Sequence, residues 1–444
     1  MEWTTLLDPM TADGRSTSGR TEFERDQDRI IFSSPFRRLN DKTQVLPIPE
    51  HYFVHNRMTH SIETACVGRS LGNVVGESVL EGKVADWGRE ESRNLGDLIQ
   101  AACLAHDIGN PPFGHSGEDA ISAYFLRRPE VLEGLDEAER RDFTAFEGNA
   151  QGFRIASTLS PGLHLTRNTL AAFSKYPRES VVRGGWKVDS DAKRRDQKKY
   201  GAFQSEASAL AAVMSSFGLP RLSEEGLSFA RHPFAHLVEA ADDICYLIID
   251  LEDAVRLGII ALAEVDEVLE AIIAANPDPR SRDSASSRPK PPADANERIA
   301  AYRARAINSL IFQCAAVFED RKDEVARGAW GGSLTQEIPS AAALEAIGEV
   351  SRRKLYRYRP VLEIEAAGFE VIDGVLEMLV DAALSPRDAR RQARLELFPE
   401  LDLPQDLTRY DVLRRITDYV AGMTDSFAVS TYRRLRGMEL PKMY

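Results

Sequence analysis

A chain of 444 residues with 43% apolar and 28% charged side chains can bury a large core, sized for one large domain or two to three ordinary ones. Its formal net charge of −13 excludes a surface that coats nucleic acid, so any polyanionic ligand must be met by a local basic patch. No apolar run is long enough to span a bilayer, and the opening "MEWTTLLDPMTADGR" lacks a charged-then-apolar secretion signal, so a cytoplasmic protein with no membrane partner is expected.

In chain order, the best strand signal comes first. In "KTQVLPIPEHYFVH", residues 42–55, two short β-prone stretches flank Pro47–Pro49 and are expected to pair as a hairpin. Elsewhere apolar residues recur at three- and four-residue spacing through 58–80, 96–106, 118–127, 205–217, 232–257, 260–274, 298–321, 341–350, 361–384 and 408–437, which predicts helices. The expected fold is mainly α, with an N-terminal body over 1–274. Residues 275–297, rich in Pro, Ser and charge, are expected to form a flexible insertion or linker ahead of a C-terminal helical region, 298–444. Cys66, Cys103, Cys245 and Cys314 are scattered without CxxC pairing and read as small buried hydrophobes. Residues 175–200 carry nine Lys or Arg against four acids, a local net +5 in an acidic chain.

The chemistry concentrates where the helical run "LIQAACLA" ends in His106 and Asp107, followed at once by Gly109, Pro111, Pro112 and Gly114. Both residues then fall in a final helical turn that the apolar run predicts to be buried. A buried aspartate at a helix C-terminus is costly unless a cation compensates. A divalent metal needs further ligands from other elements. In "RMTHSIETACVGRSL", Arg57 and His60 share a helix face, so His60 is the best third ligand, with Arg57 beside it for an anion. In "HLVEAADDICYLIIDLEDAV", Asp242, Tyr246 and Asp250 stack at i, i+4 and i+8, which offers Asp242 as the fourth ligand with Asp243 as the alternative.

This H…HD…D pattern resembles the HD-domain metal-dependent phosphohydrolases. Longer motifs sharpen the resemblance: "RDQDRIIFSSPFRRLNDKTQV", "NRMTHSIET", "LAHDIGNPPFGHSGEDA", "FEGNAQGFR", "KYP", "EAADDICYLIIDLEDA" and "AGMTDSFAVSTYRRLRG" follow in the order of bacterial deoxyguanosinetriphosphate triphosphohydrolases and their relatives. That resemblance implies conversion of a deoxynucleoside triphosphate, dGTP favoured, and water to the deoxynucleoside and triphosphate. It implies metal ligands His60, His106, Asp107 and Asp242 for Mn²⁺ or Mg²⁺, with Fe, Co or Ni as alternatives. It places Gln44 and Asp250 on the sugar 3'-hydroxyl, Tyr246 against the deoxyribose, and Arg57, Lys175, Tyr176 and Lys199 on phosphate. Some relatives carry a histidine where this chain has Asn110, so that histidine's role does not transfer. The family further implies a homo-oligomer, commonly a hexamer with the C-terminal region in its contacts, and response to dNTP or single-stranded DNA effectors.

Attack at the α-phosphorus expels a 5'-alkoxide, which calls for a general acid. His115, just past the HD loop, suits that role, with Glu118 three residues on to orient it. The competing readings are another HD nucleotide hydrolase, such as a 5'-nucleotidase or a cyclic-nucleotide or alarmone hydrolase, and a nucleotide- or DNA-responsive regulatory protein using basic runs such as "RRKLYRYR".

Overall fold

The computed structural model describes residues 3–8, 20–46, 54–160, 162–182, 194–278, 294–384, 395–404 and 406–439. Helices dominate, and among these residues β structure is confined to isolated bridges. The hairpin expected over 42–55 is one antiparallel bridge, Thr43 with Asn56; residues 47–53 of that stretch lie outside the described residues.

The frame of the site is a packed helix pair, α1 (Arg57–Val75) and α2 (Arg89–Ala105). Asn56 caps α1: its side chain accepts the Thr59 N–H at 2.9 Å while the Thr59 hydroxyl accepts the Asn56 N–H at 3.0 Å. Small residues let the two backbones meet. A Cβ on Gly72 would stand 3.0 Å from the Gly96 Cα, and one on Gly68 would stand 2.6 Å from Cys103 Sγ. That approach brings the first turn of α1 beside the last turn of α2, and so His60 beside His106. Leu71, Leu95, Leu98 and Ile99 are fully buried in the seam, each contributing about 1.5–3 kcal/mol.

Helix α3 (His115–Arg127) follows the HD loop, and the short α4 (Gly148–Arg154) packs its N-terminus against it. Helix α5 (Ala235–Arg256) packs on α1 and is itself covered by α6 (Ala295–Ala326), so its polar residues are enclosed on most sides. Helices α1, α2, α5 and α6 share one core with residues 334–361. A second core joins Ile121, Phe125 and Phe143 to Val371, Leu376, Leu413 and Ile416, which come from α7 (Arg359–Leu384) and α8 (Arg409–Ala421). Both cores therefore draw on residues before and after the segment 275–297, of which 279–293 lie outside the described residues.

Three local expectations change. The helix expected over 408–437 is two, α8 and α9 (Asp425–Leu435), because Gly422 closes the first and Thr424 caps the second by accepting the Phe427 N–H at 3.2 Å. The run 58–80 is α-helical to Val75 and ends in a π turn over Gly76–Leu80. Cys66 is exposed, since it lies on the face of α1 turned from α2, whereas the other three cysteines are buried.

Candidate active site

Every expected site residue except Asp250 lines one cleft of about 510 Å³. At its floor, His60, His106 and Asp242 present ligand atoms within 4.8 Å of one another. His60 Nε2 lies 3.1 Å and His106 Nε2 3.4 Å from Asp242 Oδ1. His106 Nδ1 sits 2.7 Å from the Cys103 carbonyl, which only accepts, so Nδ1 carries the proton and Nε2 presents its lone pair to the cleft. That Nε2 is buried without a hydrogen-bond partner. A histidine fixed through its far nitrogen, beside a second histidine and a carboxylate, fits a divalent cation. Asp107 is adjacent but turned: Oδ2 takes Arg57 Nη1 at 2.7 Å and Oδ1 accepts from the Asn110 amide at 2.6 Å. Asp243 also lines the cleft but accepts from the Thr335 hydroxyl at 2.6 Å and does not join the histidine cluster, which favours Asp242 of the two candidate ligands.

The charges here are mutually held. Burial would raise the Asp107 carboxyl, yet His106, Arg57 and His60 keep it well below the usual carboxylate range. Burial likewise opposes the Asp242 anion, but Lys175 and His106 hold its pKa far down. Lys175 Nζ is ion-paired to Asp242 Oδ2. The "KYP" segment that carries it is supported from below by Arg231. This fully buried guanidinium donates to the Lys175 carbonyl at 2.6 Å, forks onto Glu239 at 2.7 and 3.1 Å, and lies 5.6 Å from the Tyr176 ring centroid.

The facing wall is an acid–base group. His115 Nδ1 is 2.7 Å from Glu118 Oε2, and the other Glu118 oxygen accepts the Gly148 N–H at the start of α4 at 2.5 Å. The Glu118 bond raises the His115 pKa above its ordinary value. Burial alone would raise Glu118, but His115 and Lys199 bring it down. Lys199 Nζ reaches Glu147 at 3.1 Å and Glu118 at 3.9 Å, and Glu147 is pushed up to about 7 by burial and by the nearby Glu118. Both expected phosphate lysines thus rest on carboxylates.

Gln44 lines the cleft with its Oε1 buried and unpartnered. Tyr246 lies at the mouth, its ring stacked on Tyr356 with centroids 6.1 Å apart. Asp250 does not reach the cleft: Tyr356 covers it and its hydroxyl donates to Asp250 Oδ2 at 3.3 Å. Burial and the neighbouring Asp253 push the Asp250 carboxyl up to about 8. Val361, Ile364 and Glu365 of α7 close the same side. Sequence reasoning missed these, together with Tyr356, Glu147 and Arg231. Glu147 had a signal, lying inside "FEGNAQGFR"; the α7 residues had none, because only the chain's return brings them to the cleft.

A family model of the HD domain matches residues 57–147, and one of the phosphohydrolase-associated domain matches residues 339–434. The first covers His60, His106, Asp107, His115 and Glu118; the second covers Tyr356, Glu365 and α9 up to residue 434. The chain is 38% identical over 432 residues to a deoxyguanosinetriphosphate triphosphohydrolase-like protein of Synechocystis sp., covering 95% of both chains. A protein so described from Pseudomonas aeruginosa is 36% identical, with 99% of this chain and 100% of the relative covered. A deoxyguanosinetriphosphate triphosphohydrolase of Salmonella typhi is 30% identical, with 94% of each covered.

Proposed function

The chain belongs to the deoxyguanosinetriphosphate triphosphohydrolase-like family of HD-domain hydrolases, and from that premise we propose that it converts a 2'-deoxynucleoside triphosphate, dGTP favoured, and water to the deoxynucleoside and intact triphosphate. The observation that carries this reading is one cleft holding both the His60–His106–Asp242 cluster and the His115–Glu118 pair. A divalent cation, Mn²⁺ or Mg²⁺ in this proposal, would be held by those three residues with Asp107, and would supply Lewis acidity to an α-phosphate oxygen and acidity to an attacking water.

The chain's own groups divide the remaining work. As the water oxygen bonds to the α-phosphorus and the bond to O5' breaks, His115 donates its proton to O5' and Glu118 holds the ring in place. Arg57, Lys175 and Lys199 neutralise phosphate oxygens, with Tyr176 beside them. For the two lysines this is an exchange of partners, phosphate for the carboxylates they now hold. The free Gln44 oxygen accepts the sugar 3'-hydroxyl, and the Tyr246 ring occupies the room a 2'-hydroxyl would need. Asp250 reaches the sugar only through the Tyr356 hydroxyl that covers it.

The proposal extends to a cytoplasmic homo-oligomer, hexameric, responsive to dNTP or single-stranded DNA. It keeps the division at 275–297, with region 298–444 in the subunit contacts. Leu362 and Phe369 of α7, 46% and 36% exposed, are apolar surface available for such contacts. Among the described residues no helix is long and apolar enough to cross a membrane. The test is to incubate each dNTP and GTP with Mn²⁺ or Mg²⁺ and resolve the products by anion exchange. Triphosphate with deoxyguanosine is expected; pyrophosphate or orthophosphate would move the chain to another HD nucleotide activity.

A further inference from the structure

The carboxylate of Asp425, on the first turn of α9, lies far from the chain segments that carry the chemistry, yet it binds two of them at once. Oδ2 accepts the Thr43 N–H at 2.9 Å and Oδ1 accepts the Phe113 N–H at 2.8 Å. Both bonds are sheltered, since Asp425 is 8% exposed. Thr43 precedes Gln44 and bridges to Asn56, the cap of α1, while the Lys42 carbonyl accepts the Arg57 N–H at 3.1 Å. Phe113 is two residues before His115.

The second bond restrains an uncommon backbone. Phe113 has φ +62°, a region that non-glycine residues rarely occupy, and Gly114 follows with φ +59° and ψ −128°. A Cβ at residue 114 would stand 2.3 Å from Arg57 Nη2, so a side chain there would strain the backbone and displace the guanidinium paired with Asp107. The Phe113 ring lies against Gly368 of α7, where a Cβ would come 2.8 Å from Cγ. Nothing in Gly114 caps α3, so the entry of His115 and Glu118 into their helix is set by this turn. Lys42 reinforces the same junction: its buried ammonium donates to the Asn110 carbonyl at 2.6 Å and to the Ala421 carbonyl at the end of α8 at 2.9 Å.

We propose that Asp425 is a positioning residue for the reaction, one carboxylate that fixes the Phe113–Gly114 turn carrying His115 relative to the segment carrying Gln44. The inference rests on the proposed roles of those two residues. It makes the α8–α9 corner a working part of the active site rather than a distant support.

Asp425→Ala and Asp425→Asn test it, the second preserving volume and one acceptor in case the first fails to fold. Misplacement by about an ångström lowers kcat by about 10²-fold, with Mn²⁺ affinity by calorimetry unchanged, since the bond to Phe113 lies outside the metal cluster. A cycle with His115→Ala separates positioning from general stability: if Asp425 acts through His115, the double variant is hardly slower than His115→Ala alone. Additive losses, or full activity in both Asp425 variants, would overturn the proposal. Amide hydrogen exchange gives a readout independent of the reaction assigned. In Asp425→Asn, exchange should rise at 43–45 and 113–115 without change along α1 and α2; unchanged protection there would overturn the proposal even in an active triphosphohydrolase. Triphosphate missing from the wild-type products, with exchange raised in the variant, would overturn the reaction and leave the positioning intact.

Discussion

On the side of the cleft proposed to hold a cation, the His60 and His106 side chains are each 3% exposed, whereas on the facing side the His115 side chain is 81% exposed. The first two sit on facing turns of helices locked by glycine contacts, and His106 Nε2 has no hydrogen-bond partner. His115 begins a helix after a strained turn, and its partner Glu118 is tied to Gly148 and Lys199. An unpartnered buried lone pair costs stability unless a ligand meets it, whereas an exposed imidazole on a buried carboxylate can release a proton and regain it from solvent. The difference teaches that in the proposed reaction a fixed cation would be held by helix packing, whereas the proposed proton donor, His115, keeps its ring open to water.

The largest effect should come from breaking the fixed wall. His106→Ala should abolish high-affinity Mn²⁺ binding and lower turnover on the order of 10³-fold or more, measured by calorimetry beside a rate assay; retained metal would show that His60 and Asp242 suffice. His115→Ala strikes the other wall and should cost about 10²–10⁴-fold in kcat with metal retained. Loss of metal in that variant would erase the contrast between the walls. Tyr246→Ala, at the mouth, should lower the dGTP-to-GTP preference by about 10-fold or more, read as the ratio of kcat/KM values; an unchanged ratio would remove Tyr246 from sugar selection.

Two pH experiments sharpen the contrast. The Glu118 bond raises the His115 pKa, so the acid stays protonated to higher pH. Glu118→Gln should therefore shift the alkaline limb of kcat/KM to lower pH, and an unmoved limb would assign it to another group. The smallest effect is on stability. His55 ties α1 to α5: burial would lower its pKa, but bonds to Asp253 at 2.7 Å and Glu63 at 3.1 Å push it up to about 10. Because the folded value exceeds the unfolded one, the stabilisation is full below the ordinary 6.5 and is lost as pH rises toward about 10. Asp253→Asn should flatten the fall in Tm across that window, which thermal melts at several pH values would reveal.

The placement of the proposed ligands was legible because they lie in long periodic helices ended by clear stop signals, as at His106 and Asp107 before Gly109. Asp242 was preferred over Asp243 from its stacking with Tyr246 and Asp250 and from the resemblance, but spacing alone left Asp243 open, since one residue of helical rotation separates them; the histidine cluster and the Thr335 contact favour Asp242. Short helices escaped periodicity. Glu22–Phe32 and Glu137–Thr144 were nonetheless marked by capping boxes, Thr21 with Glu24 and Asp136 with Glu139. The cover over Asp250 was invisible, because Tyr356 is 106 positions away and meets it only through tertiary packing. Asp425 was inside a quoted motif, but a carboxylate bonded to backbone leaves no mark on its partners' side chains.

The central claim is that water attacks the α-phosphorus and the deoxynucleoside leaves through its own 5'-oxygen. Turnover of dGTP in H₂¹⁸O with Mn²⁺, followed by mass spectrometry of both products, tests it most directly. One ¹⁸O in the triphosphate and none in deoxyguanosine is the expected result. Label in the 5'-hydroxyl, or label in pyrophosphate or orthophosphate released directly from dGTP, would contradict it.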